Sequence, residues 1–276
     1  MASYFAPDSA VRRICREPAL VLGGGRALLL QAAHPLVAAG VLAHSRYDEN
    51  PWARLERTMR ALDAIIYGSR EEADRAASAV RHVHEGVRGR IVEPMGPFPA
   101  GTAYSALDPD LLIWVHTSLV DTILVTYEAL VRPLDREDAE AFHRDMRTVG
   151  GLFGIPDGAL PETLRELRAD QAGRMRSGAI VVTPAARELA AAILRPPAPA
   201  RLRPLFRGVA AVTVALLPSQ LRAQYGLRWS RGRERVFDVA SRPARRAIPP
   251  TVRLLWRRVV GPSAGAAPRP RVSPAR

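Results

Sequence analysis

The chain has 276 residues, of which 47% are apolar and 6% aromatic, and its formal net charge is +13 at pH 7. A chain of this length and composition can bury a sizeable core, which excludes a wholly disordered protein. All 40 basic residues are arginines, spread along the chain without interleaved aromatic residues, which disfavours nucleic-acid binding. The positive charge is compatible with peripheral contact with an anionic membrane.

The N-terminal region is expected to hold neither a secretion signal nor a membrane span. Cys15 is the only cysteine, which excludes an intramolecular disulfide and a cysteine-based zinc site. No apolar run of signal-peptide length precedes the first arginines, so a cytoplasmic location is expected. Residues 20–43 are apolar over the length of a membrane helix, but they include Arg26, Gln31 and His34. Because charge is costly in lipid, these residues are predicted to form a core helix.

Helical periods dominate the hydrophobic pattern, and almost no stretch alternates, which predicts an all-α protein. An N-terminal arm (residues 1–18) is expected to precede a single helical domain (residues 19–260). Residues 261–276, rich in Pro, Ala and Arg, are predicted to form a disordered tail. A central apolar helix over residues 28–44 is expected to kink at Pro35. One short strand is predicted at 90–93.

The remaining elements have clear start and stop signals. Asn50-Pro51 and Asp108-Pro109 are typical helix starts, and Ser69 with Glu72 fits a capping box. Further helices are predicted over residues 52–67, 70–86, 110–130, 136–153, 162–177, 184–194, 217–226 and 231–245. The apolar segment 202–217 is expected to need a partner surface.

Three glycines, Gly23 to Gly25, precede the first apolar helix. No Gly-Lys-Ser/Thr follows them and no strand pattern precedes them, so they are not a phosphate-binding loop. We interpret them as a cap or lead-in to the helix. The polar side chains that follow, together with Arg54, Arg57 and Thr58 on the next helix, indicate one wall of a cofactor or substrate cavity.

The histidine pattern excludes some chemistries and leaves one open. No pair has the His-Glu-x-x-His zinc spacing, and the chain has no Gly-x-Ser-x-Gly nucleophile motif. His84 shares an apolar helix stripe with Ala73, Ala77 and Val80, whereas His82 points elsewhere. A histidine in this position is either a hydrogen-bonded core residue or the single protein ligand of a haem iron. The pattern alone allows both interpretations.

Several short strings occur in a characteristic order along the chain. They are GRALLLQ, AHP, VAAGV and HS in residues 25–45, RL and RT at 54–58, YG at 67–68, VR-x-x-H at 80–84, Gly89, Tyr104, DP at 108–109 and WVH at 114–116. Together they resemble the MpaB-type oxygenase family, which includes the catalytic domain of the rubber oxygenase (latex-clearing protein). The resemblance covers about residues 10–250.

The resemblance implies an all-helical protein with a distantly globin-like core and one haem b. It also implies a dioxygen-dependent oxidoreductase that acts on an apolar, unsaturated or isoprenoid-like substrate. His84 matches the proximal iron ligand, and Arg54 and Thr58 match the polar distal cluster. Arg57 replaces the lysine that caps the iron in rubber oxygenases. Because arginine is a poor metal ligand, the distal side is predicted to be open or differently arranged.

Other residues keep two interpretations. Arg26 either pairs with a carboxylate at a helix end or binds a haem propionate, and Arg81, near His84, is placed to reach a propionate. His34 is a further candidate for cofactor binding, although a structural role in the kinked helix is favoured for His34 and for His44. His116 either packs helices together or supports the site. The alternative to an oxygenase is a non-catalytic helical haem- or lipid-binding protein.

Overall fold

The computed structural model describes residues 2–45, 51–197 and 199–246, with the side chains of 51–54, 240 and 242–246 left undescribed. The predicted tail at 261–276 lies outside these residues. The α-helices are α1 Ala10–Cys15, α2 Gly24–Ala32, α3 Pro35–His44, α4 Pro51–Tyr67, α5 Arg70–Glu85, α6 Pro109–Leu130, α7 Arg136–Leu152, α8 Leu164–Arg176, α9 Pro184–Leu194, α10 Arg203–Leu216, α11 Ser219–Gln224 and α12 Arg231–Arg246. Two 3-10 segments cover Pro18–Gly23 and Ala200–Leu202.

Strand structure within the described residues is limited to one antiparallel hairpin, β1 (Arg88–Arg90) with β2 (Ala103–Ser105). The all-α prediction is therefore confirmed, and the strand predicted at 90–93 lies two residues too late. The capping box at the start of α5 also forms. The Ser69 hydroxyl accepts the Glu72 amide, and the Glu72 carboxylate accepts the Ser69 amide at 2.8 Å.

The prediction of one kinked helix over residues 28–44 is wrong in one respect, because the structure has two helices, α2 and α3, in this region. Between α2 and α3 the chain turns by 108°. His34 has extended backbone angles, as favoured before proline, and Pro35 is the first residue of α3. The His34 Nδ1 accepts the Leu36 amide at 3.2 Å, so the side chain itself caps the new helix.

Helix α6 lies between the two main groups of buried apolar residues. Its residues Val120 and Leu124 pack with helices α1, α4, α5 and α7 in one group. Trp114, at its other end, packs with α2, α9 and α11 in the second group and donates from Nε1 to the Leu30 carbonyl at 3.2 Å. The centre of the fold is therefore α6 rather than the segment 28–44.

Two of the three consecutive glycines allow close helix packing. A Cβ added to Gly23 would lie 2.3 Å from Thr126 Oγ1 of α6, and one added to Gly25 would lie 2.3 Å from Thr213 Oγ1 of α10. A Cβ added to Gly24 meets no described atom within 4 Å. The glycines thus bring the start of α2 into direct contact with α6 and α10, a role beyond the predicted cap.

Among the described helices, none is both long enough and apolar enough to cross a bilayer alone. The bent pair Pro18–Ala32 and Pro35–His44 meets both requirements when its two parts are combined.

Candidate functional site

Helices α4 and α5 form a helical hairpin that turns at Gly68 and Ser69. Position 54 lies 14 residues before Gly68, and His84 lies 15 residues after Ser69. At about 1.5 Å per residue, both stand roughly 20 Å from the turn, at the open end of the hairpin. We call this end, with positions 54, 57 and 58 of α4 and His84 of α5, the hairpin mouth.

The side chains at the hairpin mouth differ in exposure. Arg57 and Thr58 are exposed, and His84 is half-buried. Position 54 belongs to α4, but the Arg54 side chain lies outside the described part. The structure therefore brings the predicted ligand His84 and the predicted distal positions to the same end of one hairpin.

The exposure along α5 agrees with the stripe predicted from residue spacing. Ala73 and Ala77 are fully buried, whereas the His82 side chain is 85% exposed and hydrogen-bonds to Glu85. His84 lies on the same side as the two alanines and is less exposed than its neighbours. Of the two histidines on this helix, only His84 is placed toward the interior of the fold.

Helix α3 and the β-hairpin adjoin the end of α5. A Cβ on Gly40 of α3 would lie 3.5 Å from Val87, one turn after His84. Tyr104 lies over its cross-strand partner Gly89, where a Cβ would come within 2.7 Å of the Tyr104 hydroxyl. That hydroxyl hydrogen-bonds to His44 Nε2 at 3.2 Å. His44 therefore links α3 to the β-hairpin, in line with the structural role favoured for it.

Arg26 lies in a different part of the molecule from the hairpin mouth. It is 3% exposed, and its guanidinium donates to the Leu216 carbonyl at 2.8 Å, Thr122 Oγ1 at 2.6 Å and Asp121 Oδ2 at 2.7 Å. Of the two interpretations that the sequence allowed, this geometry supports carboxylate pairing. The partner, however, lies in the middle of α6 rather than at a helix end.

His34 and Arg81 also have structural contacts. Burial lowers the pKa of His34 to about 4, and its ring lies 5.6 Å from that of Phe98. The Arg81 guanidinium donates to the carbonyl of Leu152, the last residue of α7. A positive charge is favourable at a helix C-terminus, so Arg81 ties α5 to α7. Cofactor binding by His34 and a propionate contact by Arg81 stay predictions.

A comparison with protein families shows to which family the helical body belongs. The family model described as ER-bound oxygenase mpaB/B'/Rubber oxygenase, catalytic domain, matches residues 11–246. The chain belongs to this family. The match begins in α1 and ends at the last residue of α12, so it spans the whole helical body described above. Comparisons with curated proteins and with solved structures returned no match.

Membership of the MpaB/rubber oxygenase family raises the question of whether the hairpin mouth fits a haem. Among the described residues, no three His, Cys, Asp or Glu side chains cluster as metal ligands. A haem needs only one strong protein ligand, and a helix-borne imidazole with one side accessible is suitable. His84 has that chemistry and that partial exposure. The His84 imidazole at the hairpin mouth therefore fits one bond to haem iron, and Arg57 and Thr58 lie exposed on the neighbouring helix α4.

Sequence reasoning missed a buried histidine pair between α6 and α7. Burial, together with nearby His143, lowers the pKa of His116 to about 4, and the pKa of His143 is lowered mainly by burial. His143 Nε2 donates to the Pro161 carbonyl at 2.9 Å. His116 thus serves helix packing, one of its two predicted roles. Its partner could not be found from spacing, because the two residues are distant in sequence.

Proposed function

We propose that this member of the MpaB/rubber oxygenase family is a haem b-dependent oxygenase acting with dioxygen on an apolar, unsaturated, isoprenoid-like substrate. Family membership supports an oxygenase. The observation that carries the haem proposal is the placement of the half-buried His84 at the hairpin mouth, at the same end of the hairpin as positions 54, 57 and 58 of α4.

Each side chain would have a distinct task. The His84 imidazole would bind the iron through one ring nitrogen. Its other nitrogen would need a hydrogen-bond acceptor to fix the ring orientation. The bound haem would supply the redox centre at which dioxygen is activated. Arg57 and Thr58, with Arg54, would present positive charge and a hydroxyl donor where negative charge develops on oxygen. Arg57 would leave the distal side without a lysine ligand.

The proposed substrate surface is the apolar face of α3. Val41 and Leu42, in the last turn before His44, are half-buried and pack partly against the apolar group of α2, α9 and α11. An unsaturated hydrocarbon on their exposed parts would exclude water from the reacting bond.

The absorption spectrum of the purified chain tests this proposal. A Soret band, present on purification or after haem supplementation and shifted by a reductant and dioxygen, is expected. Oxygen uptake with a short polyisoprene oligomer then tests turnover. Absence of the Soret band after supplementation would contradict the haem proposal and leave a non-catalytic helical lipid-binding protein. A haem protein without oxygen uptake would leave the non-catalytic haem-binding alternative.

Two further predictions concern the surroundings of the protein. The cytoplasmic location is proposed from the sequence and is testable by cell fractionation. Peripheral membrane contact is proposed from the net charge of +13. It predicts sedimentation with anionic vesicles at low salt, and neutral vesicles should leave the protein in solution.

A further inference from the structure

A small apolar cavity lies beside α4. Its volume is 110 Å³, and its walls come from α1, the segment Pro18–Gly23, α2, α4, α6 and α7. On α4 the lining residues include Met59 and Asp63, one turn apart. Thr58 is not among the lining residues, although Leu55 and Leu62, one turn before and one turn after it, are. Because α5 supplies none of the described lining residues, His84 does not line this cavity either.

The lining is hydrocarbon and thioether, with one acid among it. Leu119, Ile123 and Met146 form the wall opposite α4. Asp63 is also a lining residue. It is half-buried as a whole, but its Oδ1 is buried and has no hydrogen-bond partner among the described groups. A buried carboxyl oxygen without a partner costs free energy, and aspartate is also a poor residue for a helix interior. The chain therefore keeps an unfavourable residue at the wall of a cavity.

The charges around Asp63 restrict what could pair with it. The Arg12 guanidinium lies 5.8 Å from the centre of the Tyr67 ring, which also lines the cavity. This positive charge and the apolar lining disfavour a cationic ligand. A carboxylate ligand would be repelled by Asp63 when it is ionised. A neutral hydroxyl avoids both penalties, because it can donate to a carboxylate or accept from a carboxylic acid.

We propose that this cavity binds the hydroxyl-bearing end of a small aliphatic alcohol, with the hydroxyl bonded to Asp63 and the hydrocarbon against Met59 and Met146. A dry cavity of about 150 Å³ holds benzene, so the present volume suits roughly four or five carbon atoms. The ligand satisfies the Asp63 oxygen and replaces empty space with apolar contacts. This site is independent of haem and of the proposed oxygenase activity.

Methionine methyl NMR of the full chain, with 1-butanol as the probe, tests the proposal directly. Met59 and Met146 line the cavity, whereas Met95 and Met175 belong to other apolar groups. Saturable shifts confined to Met59 and Met146 are expected. Non-saturable shifts, or equal shifts at all four methyl groups, would overturn the proposal. Butylammonium and butyrate should bind at least about tenfold more weakly than 1-butanol, and equal binding would contradict the hydroxyl assignment.

Variants at Asp63 separate the hydroxyl contact from simple filling of space. Asp63→Leu should weaken 1-butanol binding roughly tenfold and leave pentane binding unchanged or tighter. Asp63→Asn, which keeps a polar amide, should retain binding within about threefold of the parent. The control is Asp157→Leu at an exposed position, which should change the binding of neither 1-butanol nor pentane. Unchanged 1-butanol binding in Asp63→Leu would overturn the assignment, and the Met95 and Met175 signals report whether each variant is folded.

Discussion

Arg26 and Asp121 form an ion pair inside the helical body, with 2.7 Å between Nη2 and Oδ2. Removal of the guanidinium would leave the Asp121 carboxylate and the Leu216 carbonyl without their charged donor. Arg26→Met is therefore expected to lower the free energy of unfolding by about 3–5 kcal/mol. Urea denaturation followed by circular dichroism measures this loss.

The matched control for this prediction is an exposed ion pair between an arginine and a glutamate. Arg60 pairs with Glu56 on α4, and their side chains are 68% and 40% exposed. Arg60→Met should cost less than about 1 kcal/mol. Similar small losses in both variants would show that the buried pair is not needed for stability. If Arg26→Met instead lost haem at unchanged stability, the propionate contact would be the better interpretation of Arg26.

His84→Ala should remove most of the haem while the protein remains helical, because the axial bond is expected to come from this imidazole. Haem per protein, from the pyridine haemochrome spectrum, measures the loss. His82→Ala is the control, since His82 lies two residues away on an exposed face. If both variants keep the haem content of the parent, His84 is a packing residue. Its loss would then cost only about 1–3 kcal/mol of stability.

Acid should destabilise the fold through two buried histidines. His34 and His116 have an ordinary pKa of 6.5, which burial lowers to about 4 in the folded protein. As the pH falls from 6.5 toward 4, the unfolded chain binds protons at these groups and the folded protein does not. The free energy of unfolding should therefore fall in this window by about 3 kcal/mol per histidine and level off above about pH 7.

Urea denaturation at pH 7.5, 6 and 5 measures the effect. His116→Gln should flatten the pH dependence relative to the parent, since an amide does not titrate in this range. Parallel profiles for the parent and His116→Gln would mean that His116 is not held neutral by burial.

Gly25→Ala should destabilise the protein by about 1–3 kcal/mol, because the new methyl group would overlap Thr213 Oγ1 of α10. Thermal unfolding compares it with Gly24→Ala, which meets no described atom within 4 Å and should be neutral or slightly stabilising. Adding Thr213→Ala to Gly25→Ala should recover part of the loss. Equal effects of the two single changes would argue against close packing at Gly25.

The helical fold was largely predictable because start signals and periodicity are local properties. Ser69, Asp108 and the stripe that includes His84 all lie where the sequence placed them. The partners of buried polar groups were not predictable, because they come from distant parts of the chain. Asp121 for Arg26 and Tyr104 for His44 are examples. The break at His34 was underestimated, because proline predicts a kink and does not fix its angle.

The candidate site was predictable in part. The family motifs predicted His84 and the α4 positions, and the helical hairpin explains why residues about 30 apart share one end. Arg26 was predicted to belong to a polar wall with α4, but it contacts α6 and α10; the rest of that wall stays a prediction. No local signal indicated Asp63, because an aspartate inside an amphipathic helix ordinarily points to solvent.

The contacts of α2 with the last helices also constrain how the chain folds during synthesis. Tyr225 donates to the Leu29 carbonyl at 2.7 Å, and Arg26 binds the Leu216 carbonyl, across 196 and 190 residues of sequence. Helix α2 therefore leaves the ribosome long before these two partners exist. Asp121 emerges earlier and can pair with Arg26, but the contacts with Leu216 and Tyr225 stay unformed until the last helices have been made, which favours a late, cooperative folding step and transient chaperone binding.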